Sequence, residues 1–218
     1  MSIKIAHIAD VHFRPLSRHA EQRLIFEYFF EKVKELDVDV IYVGGDIYHT
    51  KTQGITPEVI DHMAWWFTEL SRVAPTHIIL GNHDGNLVNP DRQDAISPVI
   101  KALDNKNLHL YKQSGTYPTG VPGYNWCVFS VFDEEGWKNV KPVEGEVNIA
   151  VYHGCVLGSR TDIGWELEGE IDVDFFKDYD FTMLGDIHKQ QFLTPDKRVA
   201  YSGSTSQNTY GEDMDKGF

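Results

Sequence analysis

Short apolar segments alternate with amphipathic segments along the first half of the chain. Continuous apolar runs of strand length occupy residues 3–9, 38–43 and 76–80. The two segments between them, 20–36 and 57–73, carry apolar residues at helical spacing. Thr56 and Pro57 form a typical start for the second helix. In the first helix the predicted buried stripe is Leu24, Ile25, Phe29, Val33 and Leu36. Helices that alternate with continuously apolar strands predict a parallel sheet covered on both faces.

The second half of the chain has shorter apolar segments, separated by turns. A short helix is predicted at 98–103, and strands are predicted at 108–111, 126–132, 147–152, 181–184, 192–193 and 199–201. Short strands joined by turns predict hairpins and a mostly antiparallel or mixed sheet. We therefore predict an α/β fold in which two mixed sheets pack as a sandwich and are flanked by helices. A length of 218 residues fits one such domain over 1–218.

Composition and charge narrow the classes of protein. No apolar run is long enough for a membrane span, and the chain opens on a strand pattern rather than a signal peptide. Cys127 and Cys155 are isolated, which predicts buried thiols in a reducing cytoplasm rather than a disulfide framework. The net charge of -13 argues against a nucleic-acid binder when it is taken alone. Carboxylates that bind divalent metals count in that sum, however, while the metals do not.

Polar residues follow five of the predicted strands at the point where each strand ends. In open α/β sheets, ligands bind at these carboxyl ends. The residues are Asp10 with His12, Asp46, Asn82 with His83 and Asp84, His153, and Asp186 with His188. Each of these alone is more often a turn former or a satisfied polar side chain. Their occurrence after five different strands favours one shared site.

The chemistry of these residues indicates a metal centre. Carboxylate, amide and imidazole ligands without thiolate suit Mn²⁺, Fe or Zn²⁺. Six or seven ligands are too many for one tetrahedral ion, but they suit two ions about 3.5–4 Å apart that share a carboxylate. Such a pair binds phosphate oxygens and lowers the pKa of a bridging water. The pattern therefore predicts hydrolysis of a phosphoester.

The order of these motifs resembles the calcineurin-like metallophosphoesterases, and the resemblance covers nearly the whole chain. Within them it is similar to the SbcD-type DNA repair exonucleases and the phage recombination endonuclease subunit. The stretches that carry it are IAHIADVHF from Ile5, YVGGDIYHTKT from Tyr42, GNHDGNL from Gly81, LGDIHKQQF from Leu184 and YSGSTSQNTYGE from Tyr201. Protein Ser/Thr phosphatases differ, because they carry Gly-Asn-His-Glu where this chain has Gly-Asn-His-Asp.

The resemblance implies a role for each motif residue. It implies one metal bound by Asp10, His12, Asp46 and His188. It implies a second metal bound by Asp46, Asn82, His153 and Asp186, so that Asp46 bridges. It further implies that His83 acts on the phosphate or the leaving group, with His49 as an auxiliary histidine. Asp186 stands where the family usually has histidine, and this harder donor favours Mn²⁺ or Mg²⁺.

The activity implied is a metal-dependent phosphodiesterase that cleaves DNA as an exonuclease or endonuclease, with Mn²⁺ as the expected metal. The resembling nucleases continue into a DNA-capping domain and a segment that binds an SbcC-type ATPase. Both are expected to be absent from this chain, and a homodimer stays open. Two alternatives remain: a small-molecule phosphodiesterase or phosphatase of the same superfamily, and a non-catalytic module that binds an ATPase.

The sequence gives weaker evidence of a functional role for the remaining histidines and for the basic residues near the loops. The histidines without a motif are predicted to be structural: His7, His19, His62, His77 and His109. The basic residues beside the predicted site could contact phosphates: Arg14, Arg18, Arg92, Arg160 and Lys189. Scattered surface charge is the preferred interpretation for each of them except Lys189.

Overall fold

The computed structural model describes residues 2–50, 54–169 and 171–218. The first half contains β1 (Ile5–Ile8), α1 (His19–Leu36), β2 (Val40–Val43), α2 (Pro57–Val73), β3 (Thr76–Ile79), α3 (Ser97–Leu103) and β4 (Leu108–Tyr111). Its strands pair in the order β1-β2-β3-β4, and every pair is parallel, as predicted. The predicted cap of α2 is present, because the Val59 backbone N–H donates to Thr56 Oγ1 at 3.4 Å.

The second sheet is mixed, but it is not mostly antiparallel. It contains β5 (Gly115–Pro118), β6 (Tyr124–Phe129), β7 (Val147–His153), β8 (Phe181–Gly185), β9 (Gln191–Phe192) and β10 (Val199–Tyr201). The order is β5-β6-β7-β8-β10-β9, with parallel pairs inside and antiparallel pairs at both edges. The connections after β6 and β7 are long enough for crossovers, and each contains a 3-10 helix, Glu134–Asn139 and Val173–Phe176. The hairpin prediction was therefore wrong for the interior strands.

Apolar contacts between the two sheets form the centre of the sandwich. Val40, Tyr42 and Ile79 of the first sheet pack against Trp126 and other residues of the second, and the Tyr42 and Trp126 rings stack at 5.4 Å. Helices α1 and α2 cover the opposite face of the first sheet. The 3-10 segments cover the outer face of the second. The predicted two-sheet α/β sandwich is thus confirmed.

Helix α1 is rotated relative to its predicted stripe. Leu24 is 69% exposed and Leu36 is 55% exposed, whereas Gln22 is buried. The Gln22 side-chain amide donates to the backbone oxygens of Val11 and His12, at 3.2 and 3.4 Å. A polar residue therefore takes a core position because it fixes the loop that follows β1.

None of the helices in the described part of the chain is long and apolar enough to cross a membrane.

Acidification is expected to destabilise the fold through histidines remote from the predicted ligands. Burial lowers the pKa of both His62 and His77 to about 4. These histidines take up protons more readily in the unfolded chain, so their contribution is complete above about pH 6.5 and is lost as the pH falls toward 4. We expect the Tm of EDTA-treated protein to fall between pH 7 and pH 5. His62→Phe should make that fall smaller, and an unchanged pH slope would contradict the assignment.

Candidate metal centre

The seven predicted ligands lie at one edge of the sandwich, where the strands end. Asp10 and His12 follow β1, Asp46 follows β2, Asn82 follows β3, His153 ends β7, and Asp186 and His188 follow β8. The Asp10 backbone N–H donates to Gly45 O at 3.0 Å, and the His12 backbone N–H donates to Asp46 O at 2.9 Å. The loops after β1 and β2 are thereby fixed side by side.

Several of these residues have an unusual backbone conformation. Asp10, His12 and Asp46 have φ values of 54°, 52° and 52°, and Asp186 has a φ of 96°. Residues other than glycine rarely adopt positive φ, and such strain persists only where the surrounding structure enforces it. Four of the seven predicted ligands share it, which indicates that the loops are shaped to aim side chains inward.

Two glycines allow these loops to approach closely. A Cβ on Gly45, whose φ is +90°, would lie 2.6 Å from Gly81 N and 2.7 Å from His153 Nδ1. A Cβ on Gly81 would clash with the Asp46 side chain. The Gly-Gly-Asp and Gly-Asn-His-Asp motifs thus need glycine for space as well as for turning.

The first group of ligands surrounds one point. His12 Nε2 and His188 Nε2 are 3.0 Å apart. Both nitrogens face Asp10 Oδ1, at 4.0 and 3.9 Å. Asp46 Oδ2 lies 3.8 Å from His12 Nε2. Asp10, His12 and His188 lie close enough together to hold a divalent cation, and Asp46 adjoins them through His12.

The second group adjoins the first through Asp46. His153 Nε2 lies 3.2 Å from Asp46 Oδ1 and 3.7 Å from Asp186 Oδ1. The Asn82 side-chain amide donates to Asp186 Oδ1 at 3.1 Å, while the buried Asn82 Oδ1 has no hydrogen-bond partner among the described residues. A buried amide oxygen without a partner is costly unless a cation takes that place. The residues therefore fit two divalent ions, with the two Asp46 oxygens facing different groups.

Hydrogen bonds at Nδ1 prepare two of the histidines as ligands. His153 Nδ1 lies 2.7 Å from Gly44 O, and His188 Nδ1 lies 2.9 Å from Glu212 Oε1. Because an oxygen acceptor requires the proton on Nδ1, the neutral form of each ring, which is the form that binds metal, carries its lone pair on Nε2.

The electrostatics of the site favour uptake of cations. Burial raises the pKa of Asp10 to about 7 and lowers the pKa of His12 to about 3. Burial would also raise the pKa of Asp46, but the adjacent His153 holds that pKa below its ordinary range and has its own pKa raised in turn. Buried carboxylates that lie close to one another are stabilised when metal ions offset their charge.

His83 and His49 lie at the open side of the same centre. His83 Nδ1 is 2.6 Å from His49 O, so its N–H donates there and Nε2 points away from that loop. Nε2 lies 3.9 Å from Asp46 Oδ2, and the His83 side chain is 34% exposed. The His49 ring lies edge-on to His12, with the ring centroids 5.2 Å apart. His83 therefore borders both the ligand set and the solvent.

Two residues at the site were given no role by the sequence. Buried Asp84, grouped above with the other strand-end residues, accepts hydrogen bonds from the backbone N–H groups of Tyr48 and Gly81, both at 2.8 Å. It joins the loops after β2 and β3. Glu212, which ends the stretch from Tyr201, accepts from His188 Nδ1 and from Asn208 N, both at 2.9 Å. That stretch was noted as a motif, but only the fold places its glutamate behind a ligand.

Glu212→Gln is expected to weaken metal binding about 10–100-fold, because the carboxylate that orients His188 and increases its basicity is lost. Calorimetric titration with Mn²⁺ measures the affinity without need of turnover. Glu144→Gln, which removes an exposed carboxylate, serves as the matched control. Equal Mn²⁺ affinity in the two variants would show that Glu212 does not support the ligand.

Comparison with known proteins agrees with this geometry. The family model described as calcineurin-like phosphoesterase matches residues 3–191. The chain therefore belongs to the calcineurin-like phosphoesterase family, which uses divalent metals to hydrolyse phosphoesters.

Similar proteins come from viruses and from a vertebrate. "Uncharacterized protein R555" of Acanthamoeba polyphaga mimivirus is 37% identical over 227 residues, and the match covers 96% of this chain but 16% of that protein. "Putative phosphoesterase 244L" of Invertebrate iridescent virus 6 is 25% identical, with 98% of this chain and 74% of that protein covered. A dimetal phosphatase from Danio rerio superimposes with a TM-score of 0.53 at 12% identity, covering 93% of this chain and 88% of that one, which supports the fold.

Proposed function

We propose that this chain is a metal-dependent phosphodiesterase that cleaves DNA, as an SbcD-type nuclease with Mn²⁺ as its metal. The observation that carries the proposal is the position of His83 between two open cavities, of about 770 and 580 Å³, that both reach it. A substrate that continues on both sides of its reacting phosphate needs such space. A phosphomonoester does not.

Each of these two cavities contains an arginine. Arg14 lines the smaller one together with His49, and its Nη2 donates to Asn208 O at 3.4 Å. Arg92 lines the larger one. A guanidinium with an unused N–H is suited to bind a phosphate oxygen. Arg14 and Arg92 are therefore better candidates for contacts to neighbouring phosphates than the surface-charge interpretation allowed.

Two of the other basic residues have internal partners. Arg18 forms an ion pair with Glu21 at 2.8 Å and donates to Gln207 O at 2.7 Å. Arg160 forms an exposed ion pair with Glu166 at 3.1 Å. Arg14 has only the longer contact to Asn208 O, at 3.4 Å, so Arg14 and Arg92 are the stronger candidates for contact with DNA, while Lys189 stays a prediction.

The predicted ligands, His83 and His49 have different roles in the proposed reaction. Two divalent ions held by the seven ligands would bind phosphate oxygens and lower the pKa of the attacking water. His83 donates its Nδ1–H to His49 O, which leaves Nε2 available to a phosphate bound at the centre and to its leaving oxygen. When it is protonated, it can donate to the oxygen that leaves. His49 positions that ring through its backbone oxygen.

A small-molecule phosphodiesterase or phosphatase of the same superfamily is the second candidate, and the net charge of -13 favours it. Cleavage of single- and double-stranded oligonucleotides with Mn²⁺, measured beside bis-p-nitrophenyl phosphate, separates the two. Cleavage of DNA that Asp46→Asn abolishes supports the nuclease. Hydrolysis of bis-p-nitrophenyl phosphate without any cleavage of DNA overturns it. A failure to bind Mn²⁺ would instead favour a non-catalytic module.

DNA binding by this chain alone is expected to be weak. Two divalent ions would reduce the charge of -13 to about -9, and DNA affinity depends mainly on neutralisation of phosphates by basic side chains. We therefore expect weak binding of duplex DNA in Ca²⁺ with a shallow salt dependence, and we propose that an SbcC-type ATPase partner holds the DNA. Submicromolar binding at physiological salt in a fluorescence anisotropy titration would contradict this expectation.

A further inference from the structure

A third cavity, of about 430 Å³, adjoins the metal centre, and His83 is not among the residues that line it. Its floor includes two of the predicted ligands, Asp186 and His188. Its walls include four apolar side chains: Ile163, Trp165, Leu167 and Ile187. A group bonded to a phosphate at the metal centre would therefore reach this cavity directly.

The cavity contains the Trp165 indole, which is exposed and is not packed in the core. Trp165 is 72% exposed and Ile163 is 71% exposed, although both are large apolar residues. Their segment is nevertheless ordered by hydrogen bonds: Thr161 N donates to Trp165 O at 2.9 Å, and Trp165 N donates to Thr161 Oγ1 at 3.2 Å. Because the backbone of this turn is already ordered, binding has only the side chain left to fix, so the indole suits a stacking platform.

A second set of contacts fixes this turn to the sheet. The Gln191 side chain accepts from the Arg160 backbone N–H at 2.9 Å and donates to Arg160 O at 2.8 Å. Because Gln191 belongs to β9, the position of Trp165 beside the metal centre follows from the fold rather than from a free loop.

The charges around the cavity determine which kind of group can bind there. Of the described residues that line it, none is lysine or arginine, and Asp162 and Glu212 add carboxylates to its wall. Lys216 Nζ lies 3.5 Å from Asp162 Oδ2 and 3.2 Å from Glu212 Oε2, behind these side chains. A second phosphate would be repelled there, whereas a neutral planar ring could stack on Trp165.

We propose that this cavity is a subsite for a nucleobase, which stacks on Trp165 while its phosphate lies at the metal centre. The proposal rests on the proposed phosphodiesterase function and adds that the base beside the reacting phosphate is unpaired. Such a base is available in single strands and at frayed duplex ends. The subsite would thus give the enzyme a preference for unpaired DNA over the interior of a duplex.

Binding of mononucleotides tests the subsite without turnover. Thymidine 5′-phosphate and 2-deoxyribose 5-phosphate carry the same phosphate, and only the first carries a base. In Ca²⁺, we expect the wild type to bind the nucleotide about 5–100-fold more tightly, Trp165→Ala to lose that preference, and Trp165→Phe to keep most of it. Tyr28→Ala, which removes an exposed aromatic residue of α1, should change nothing. A wild type without preference, or a Trp165→Ala variant that keeps it, would overturn the subsite.

Kinetics on DNA separate this proposal from the proposed function. Trp165→Ala should raise KM for a single-stranded oligonucleotide and leave KM unchanged for an abasic oligonucleotide of the same length, which has the same phosphates and no bases. A wild type that prefers the nucleotide but cleaves no DNA would overturn the nuclease and assign the subsite to a small nucleotide substrate. A wild type that cleaves DNA and responds to Trp165→Ala equally on both substrates would overturn the subsite alone.

Discussion

Asp46→Asn is expected to lower kcat by at least about 10³-fold, because it removes the carboxylate shared by the two groups of ligands. Asp46 Oδ1 lies 3.2 Å from His153 Nε2, and Asp46 Oδ2 lies 3.8 Å from His12 Nε2. Asparagine offers one oxygen and no charge, so it cannot bridge two cations as a carboxylate does. The loss should appear in metal stoichiometry as well as in turnover.

The measurement is Mn²⁺ stoichiometry by calorimetry together with kcat on bis-p-nitrophenyl phosphate. Asp61→Asn removes one exposed carboxylate from α2 and serves as the control for charge. We expect the Asp46 variant to bind fewer than two equivalents of Mn²⁺ and the control to match the wild type. Two equivalents with unchanged affinity in Asp46→Asn would overturn the bridging role.

Asp46 also makes two hydrogen bonds that fix the neighbouring loops. Its Oδ1 accepts the His83 backbone N–H at 2.9 Å, and its backbone oxygen accepts from His12 N. The asparagine side chain can still accept that first bond, so the fold should persist. A Tm within a few degrees of the wild type, measured in EDTA, would show that the loss of activity comes from the metal centre.

Most of the ligand positions could be predicted because the candidate ligands directly follow the ends of strands. An apolar run that ends in Gly-Asp or Gly-Asn-His-Asp can be recognised in the sequence, and parallel strands bring their carboxyl ends to one edge of the sheet. The structure places Asp10, Asp46, Asn82, His153 and Asp186 together at that edge, as predicted. Their binding of metal and their catalytic roles remain predictions.

Contacts between distant segments of the chain could not be predicted from the sequence. Glu212 reaches His188 across 24 residues, and Arg14 donates to Asn208 O at 3.4 Å across 194. No local periodicity encodes such pairs. Strand β5 was missed for a different reason, because Gly115 and Pro118 suppress a strand pattern that an edge position tolerates. The parallel interior of the second sheet was hidden by long connections without regular α-helix.

His83→Ala is expected to lower kcat by about 10²–10⁴-fold, the usual scale for a general acid–base group, while the affinity for Mn²⁺ stays near that of the wild type. The ring is held through Nδ1 at 2.6 Å from His49 O, and Nε2 lies 3.9 Å from Asp46 Oδ2 at the edge of the ligand set. Loss of this imidazole removes a proton donor for the leaving oxygen but leaves the seven predicted ligands in place. His109→Ala, on β4 in the first sheet, provides the matched control.

The competing interpretation makes His83 itself a ligand, since His12, Asp46 and His83 also lie close enough together to hold a cation. The two roles predict opposite effects of His83→Ala on the affinity for metal and on the recovery of turnover with excess Mn²⁺. A ligand would lose metal affinity on substitution, and excess Mn²⁺ would then restore turnover. A proton donor would keep its metal affinity, and excess Mn²⁺ would restore nothing. A substrate with a good leaving group, such as p-nitrophenolate, should also suffer less from His83→Ala than DNA does, because an oxygen of low pKa departs without a proton. If turnover recovers with added Mn²⁺, His83 binds metal, and the proton must come from another group at the same edge.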